Sequence, residues 1–452
     1  MTDPFAIGLV GLAALATLIA LRMPIAYAMI LTGGIGVSLL DGPGVLLSQL
    51  KTLAYGQFSI YDLSVVPMFV LMGALASASG LSASLFRGAN AWFGRFRGGT
   101  AMAAIAACAG FGAVCGSSLA TASTMGKVAL PELRRAGCSG ALATGTLAAG
   151  GVLGILIPPS VVLVLYAVIV EANIVTMFMA AFIPGFLAVA FFLVTIAIYV
   201  RVNPEAGPAG EAVGSRQLVA DTVAMAPVAA IFGIVIGGIY LGLYNPTPAA
   251  AVGAALVWLH GAITGALRWR QIRAALLETA SISGMIYLIL LGAEMLKVFM
   301  SRGGVPQAVA DAMLGSELSP LFVLVLLLAA LIVLGCLMDS LSMILLAIPF
   351  FWPVLVALNG GDAVIASEAG FGMTTDDLKI WFGILALVVV ELGLITPPVG
   401  MNVFVISGIA RDVPMRETFL GVMPFFGAEV LRVGMLIAFP ALVLWFPHWM
   451  AG

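Results

Sequence analysis

The chain has 452 residues, 62% of them hydrophobic and 9% charged, with a formal net charge of −2 and a mean hydropathy of +1.17. A soluble domain carries charge on about a quarter of its residues, so a soluble protein is excluded, and so is a basic nucleic-acid-binding surface. The four cysteines, Cys108, Cys115, Cys138 and Cys336, have neither zinc-ligand spacing nor a secreted framework and read as small apolar core residues.

Apolar runs of the roughly 20 residues that cross a bilayer recur along the chain, and in lipid such runs must be helices. Spans are predicted at Phe5–Leu21, Pro24–Leu40 and Leu63–Ser79. No basic segment precedes the first, so it reads as a span and not as a cleavable signal. An amphipathic stretch, Ser82–Arg97, leads into a Gly/Ser-interrupted stretch, Thr100–Pro131. Gly140–Glu171 is broken by Pro158-Pro159, and Thr176–Val200 is a further span. The polar segment Arg201–Asp221 holds Pro204, Gly207, Pro208 and Gly210 and divides the chain, giving residues 1–200, a linker 201–222, and residues 223–452.

The second part repeats the order of the first. Spans Val223–Tyr244, Thr247–Leu267 and Ala280–Met300 precede an amphipathic stretch, Arg302–Glu317, and an interrupted stretch, Pro320–Leu358. A polar loop, Asn359–Lys379, leads to a second proline-broken helix, Ile380–Ala410, and Met423–Phe446 closes the chain. Locally, Leu153-Gly154-Ile155-Leu156-Ile157-Pro158-Pro159 echoes Leu392-Gly393-Leu394-Ile395-Thr396-Pro397-Pro398. Upstream, the interruption from Gly112 to Ser118 echoes that from Gly335 to Ser340.

The positive-inside rule orients this pattern. Let the N-terminus lie outside and each interrupted stretch enter and leave on one side. The cytoplasmic segments then hold Arg22, Arg87, Arg95, Arg97, Lys127, Arg134, Arg135, Arg201, Arg216, Arg268, Arg270, Arg273, Arg411 and Arg416. The external segments hold only Lys51, Lys297, Arg302 and Lys379, and Arg432 falls near the start of the last span. The bias fails if the interrupted stretches are single crossings. The expectation is an all-α polytopic membrane protein of two inverted repeats, with about ten transmembrane spans, two re-entrant hairpins and two proline-broken helices.

Four clusters carry candidate chemistry. Gly116-Ser117-Ser118, followed by Thr121, Ser123 and Thr124, offers hydroxyls and carbonyls to a small hard cation, or small side chains for close helix packing. Pro158-Pro159-Ser160 removes two amide donors; it is either a kink or a break whose new helix N-terminus faces an anion, and the matching Pro397-Pro398 favours the break. Asp339-Ser340 places a carboxylate between apolar runs, as a cation ligand or as a helix cap. Thr396, Gly400 and Asn402 flank the second break, and Glu391, within the membrane, is expected to pair with a hydroxyl or an arginine. Glu294 and Lys297 share a helix face. His260 and His448 sit near span ends. No catalytic triad, metal cluster or phosphate loop occurs in the sequence.

These same motifs resemble the large membrane subunit of tripartite ATP-independent periplasmic (TRAP) transporters. They run from Gly116-Ser117-Ser118-Leu119-Ala120-Thr121, through Gly154-Ile155-Leu156-Ile157-Pro158-Pro159-Ser160 and Gly335-Cys336-Leu337-Met338-Asp339, to Glu391 through Phe404, and span essentially the whole chain. The resemblance implies an elevator-type secondary transporter in the bacterial inner membrane, not an enzyme. It implies work with a separate small four-helix membrane subunit and a periplasmic substrate-binding protein, and sodium-driven uptake of an organic acid. By the same resemblance, sodium sits at Gly116, Ser117, Ser118, Pro158, Asp339, Ser340, Thr396 and Pro397. Substrate meets Ser118, Pro159, Ser160, Pro398, Gly400 and Asn402. Cys115 departs from the usual Ser, and the loop Asn359–Lys379 is longer than usual. The competing expectation is a stand-alone sodium:carboxylate symporter. An intramembrane enzyme lacks a nucleophile–base pair here, and an inert scaffold has no need of two broken helices.

Overall fold

The computed structural model describes residues 3–210, 213–308 and 318–451. The described residues are built almost wholly from helices, with one isolated bridge, Arg97 to Ala209. Seven helices are each long and apolar enough to cross a membrane, and the bent pair Gly140–Leu156 and Val161–Val170 makes an eighth. The multi-pass membrane class expected from hydropathy is therefore what the chain adopts.

The two interrupted stretches are helical hairpins. Hairpin 1 joins Gly99–Cys115 to Ser118–Arg135, and hairpin 2 joins Pro320–Gly335 to Ser340–Asn359. The two proline motifs break helices. Broken helix 1 runs Gly140–Leu156 and Val161–Val170 with a bend of 46°. Broken helix 2 runs Thr375–Gly393 and Met401–Ile409. The Pro158-Pro159 and Pro397-Pro398 bonds are both cis.

Each hairpin lies on the broken helix of its own half through paired glycines. A Cβ on Gly112 would stand 2.7 Å from Gly154 Cα, and one on Gly393 would stand 2.7 Å from Gly335 Cα. Without hydrophobic drive between helices in lipid, such close backbone approach is what holds them. The halves also interlock: Ser118–Arg135 packs on Met401–Ile409, and Ser340–Asn359 packs on Val161–Val170. Helices Ile174–Val202 and Met415–Ala438 complete this body, the latter against Gly140–Leu156 at Gly145 and Gly421.

A second group of helices flanks it. Ile25–Asp41 packs along Trp269–Arg302, and Val65–Ala78 packs on Pro246–Ile263 and on Trp269–Arg302. The amphipathic helix Leu81–Phe93, expected at Ser82–Arg97, buries Leu81, Leu85, Phe86 and Ala89 and leaves Trp92 exposed. Of its expected counterpart, Arg302 ends the long helix and a turn follows at Gly303-Gly304, while 309–317 lie outside the described residues.

Segments assigned to one side by charge do meet. At one end Arg134 pairs with Asp412, Ala141 donates its amide to Glu417 at 3.1 Å, and Arg97 bridges Ala209. At the other end Arg302 pairs with Asp41 at 3.1 Å and His448 with Asp377 at 2.7 Å.

Several expectations needed correction. Residues 41–62, read as a connection, contain the helix Pro43–Phe58, which buries none of its residues; mixed polarity and two glycines hid it. The span Ala280–Met300 begins at Trp269, because Arg270, Arg273 and Glu278 extend the helix past the apolar window. The last span divides at Pro440 into Met415–Ala438 and Ala441–Ala451, since proline supplies no amide to continue a helix. The linker is stitched down: Gly98 donates its amide to the Gly207 carbonyl and Ser139 its amide to that of Ala206, and Ser215–Val223 is helical. The polar loop shortens, with its helix starting at Thr375, and buried Asn359 bonds Met373, Thr375 and Phe371 across it. Arg432 lies inside its helix, fully buried, with its guanidinium on Glu429 and on the Pro184 carbonyl at 2.9 Å. The cysteines are all unpaired, with only Cys138 incompletely buried. Glu294 and Lys297 pair at 3.7 Å.

Candidate functional site

The geometry of the hairpin 1 tip follows from two residues. Gly116 has a φ of +65°, which disfavours any side chain, and a Cβ there would stand 2.9 Å from the Pro159 carbonyl. Ser117 then caps the second arm, accepting from the Ala120 amide at 3.4 Å. Ser160 caps Val161–Val170 in the same way, accepting from the Leu163 amide at 3.3 Å. Asp339 caps the second arm of hairpin 2 doubly: one oxygen takes the Ser342 amide at 3.1 Å, the other the Ser342 hydroxyl at 2.6 Å. Gly400, at φ +60°, precedes Met401–Ile409.

Two of these caps, Ser117 and Asp339, line one cavity of about 610 Å³. Its walls include Gly116, Ser117 and Ser118 of hairpin 1, Asp339, Ser340 and Leu341 of hairpin 2, Val161 and Val162 after the first break, and Met401 after the second. First-turn residues of four helices thus share one space, and a helix N-terminus carries roughly half a positive charge. The opposite wall comes from the flanking helices, with Gly73 and Ser77 on one and Glu278, Ile282 and Met285 on another. Among the described lining residues are two carboxylates, Asp339 and Glu278, and no lysine, arginine or histidine.

The expected residues therefore separate into two sets. Gly116, Ser117, Ser118, Asp339 and Ser340 meet at the cavity. Pro158, Pro159 and Ser160 are fully packed behind the hairpin 1 tip. Thr396, Pro397, Pro398 and Gly400 are not among its lining residues, and Pro397 and Pro398 are exposed while Thr396 bonds back to the Leu392 carbonyl at 2.6 Å. Asn402 is fully buried and donates to the Ala148 carbonyl of broken helix 1 at 3.4 Å. Glu391 pairs with a hydroxyl: Ser118 Oγ donates to its Oε1 at 3.1 Å. Glu278 escaped sequence reading because it lies outside the apolar window. The signal present was its spacing, since Glu278, Ile282 and Met285 recur at helical intervals on one face.

A family model described as "Tripartite ATP-independent periplasmic transporter, DctM component" matches residues 12–442. The C4-dicarboxylate TRAP transporter large permease protein DctM of Pseudomonas aeruginosa is 33% identical over 395 residues, 86% of this chain and 87% of that protein. The sialic acid TRAP transporter large permease protein SiaM of Vibrio cholerae is 28% identical over 437 residues, 95% and 96% of the two chains. The crystal structure of the Alcanivorax borkumensis YdaH transporter covers 96% of this chain and 97% of its own at a TM-score of 0.61 and 14% identity, a likeness of fold alone. These relatives are transporter permeases and not enzymes. With its broken helices and hairpins meeting at one cavity and its length matched almost throughout, this chain belongs to the family of large membrane subunits of TRAP transporters.

Proposed function

We propose that the protein drives sodium-coupled uptake of an organic acid across the bacterial inner membrane. The carrying observation is the single cavity onto which four helix N-termini open, beside two carboxylates and several hydroxyls. Helix ends suit an anionic cargo, and carboxylate, hydroxyl and carbonyl oxygens suit a hard monovalent cation. The sodium ligands proposed are Gly116, Ser117, Ser118, Asp339 and Ser340, with Pro158, Pro159 and Ser160 packed behind the hairpin 1 tip. Ser118 is also the residue proposed to meet the substrate, and buried Asn402 ties the second broken helix to the first. The relatives named for C4-dicarboxylates and sialic acid share an acidic cargo.

The halves are read as inverted repeats, with boundaries at 1–200 and 223–452, because the two hairpins draw their connections from opposite ends of the bundle. Transport is read as an elevator movement of the hairpin-bearing body against the flanking helices, with Leu81–Phe93, which packs chiefly on the first arm of hairpin 1, joining that body to Val65–Ala78. Cargo arrives on a periplasmic binding protein, docked near the acidic loop after Asn359. A small membrane subunit, as the tripartite family name implies, holds the flanking helices.

Proteoliposomes test the reading. With the small subunit and the loaded binding protein present, an inward sodium gradient is expected to drive uptake, and omission of either sodium or binding protein to abolish it. Uptake without the binding protein would turn the assignment to a stand-alone symporter. Uptake indifferent to sodium would remove the coupling.

A further inference from the structure

Glu391 lies on Thr375–Gly393 with no exposed surface, seven positions before Pro398. A carboxylate at such depth is costly and marks function or tight pairing. Its described partner is a single neutral group, the Ser118 hydroxyl, and its Oε2 has none. The Ser118–Glu391 bond is also the only side-chain hydrogen bond between hairpin 1 and broken helix 2 among the described residues. Glu429 of Met415–Ala438, another fully buried carboxylate, is engaged by Arg432. Around Ser118 the packing leaves no slack: its carbonyl stands 3.3 Å from a Cβ placed on Gly151, and the Asn402 amide nitrogen 3.0 Å from the same point.

Ser118 also lines the cavity. A serine hydroxyl has one proton to give and two lone pairs. In this structure the Ser118 hydroxyl donates to Glu391, so what remains for the cavity is an acceptor oxygen held in one orientation. Carboxylates behind a ligand act this way at metal sites, where they fix its orientation and raise its basicity.

We infer that Glu391 is a positioning residue for the cation site at the hairpin 1 tip: by holding the Ser118 proton it turns that hydroxyl into a fixed oxygen ligand. The inference rests on the sodium reading above. It also explains a carboxylate buried outside the cavity, behind the tip and not within it. Ser118 ligates; Glu391 touches neither cation nor cargo.

The test is sodium binding to the purified full-length protein, read as the rise in thermal unfolding midpoint on titrating sodium chloride against potassium chloride, with radioactive sodium binding as a direct measure. Glu391→Ala and Ser118→Ala are each expected to raise the half-saturating sodium concentration about tenfold or more, and the double substitution to do no worse than either single one. Glu391→Gln keeps the shape and an acceptor oxygen and is expected to fall between, so it carries the test if Glu391→Ala fails to fold. A folded Glu391 variant with wild-type sodium affinity overturns the inference, as do additive effects of the two alanine substitutions. A wild-type protein with no sodium-specific response fails at an earlier step and overturns the sodium reading itself.

Discussion

Asp339 shows how one side chain serves both structure and chemistry. Both its oxygens are occupied by Ser342, yet it lies on the cavity wall. Asparagine at a helix N-cap supports the helix nearly as well as aspartate, so Asp339→Asn removes charge with little loss of stability. Asp339→Asn and Ser117→Ala are expected to weaken sodium activation of uptake several-fold, Asp339→Asn with protein yield unchanged and Ser117→Ala with a loss of about 1 kcal/mol for its missing cap. Sodium activation curves measure this, and wild-type curves in both variants would remove these residues from the site. The residue scale was also where sequence spoke least evenly. Asp339 and Gly116 were visible because a charge or a glycine stands out in an apolar run. The partnership of Ser118 with Glu391 was not, because the two are 273 positions apart and only the folded chain selects the hydroxyl that Glu391 finds.

Among elements, hairpins and broken helices were legible because proline and glycine leave marks that hydropathy alone does not. The paired motifs around Gly154 and Gly393 fixed which hairpin belongs to which broken helix, and their glycines meet Gly112 and Gly335. What sequence missed were elements without periodic contrast, such as Pro43–Phe58, and helix ends beyond the apolar window. The Gly154 contact is tight: a Cβ there would stand 2.6 Å from the Ser117 carbonyl and 2.5 Å from Thr121 Oγ1. Gly154→Ala is therefore expected to displace the hairpin 1 tip, costing about 1–3 kcal/mol as overpacking does, and to depress uptake more than yield. Uptake per folded protein, quantified by size-exclusion chromatography, measures it. The Glu429–Arg432 pair predicts a different pattern. Arg432→Met alone strands a buried carboxylate and is expected to cost about 3–5 kcal/mol, whereas replacing both partners with methionine costs much less. Thermal unfolding in detergent separates the two, and equal losses would mean the pair is not a closed unit.

For the whole molecule, the cavity lies between the hairpin-bearing body and the flanking helices, so its walls belong to parts proposed to move past each other. Ser77 on Val65–Ala78 and Thr124 on hairpin 1 face one another with their hydroxyl oxygens 3.4 Å apart. Replacing both by cysteine places two thiols within reach of a disulfide. Oxidation is expected to stop uptake and a reductant to restore it. A bond between the thiol introduced at position 77 and native Cys115 would join the same two bodies and give the same outcome. Full uptake by the oxidised protein would mean that these surfaces do not slide.

The wall without a basic side chain has a consequence for safety. An acidic solute arriving alone meets two like charges and no guanidinium or ammonium to hold it, so helix ends must do so unaided. On the proposed coupling, sodium in residence would make the same chamber hospitable. A vessel built this way would resist leakage, its freight neither returning nor drifting in without the driving ion.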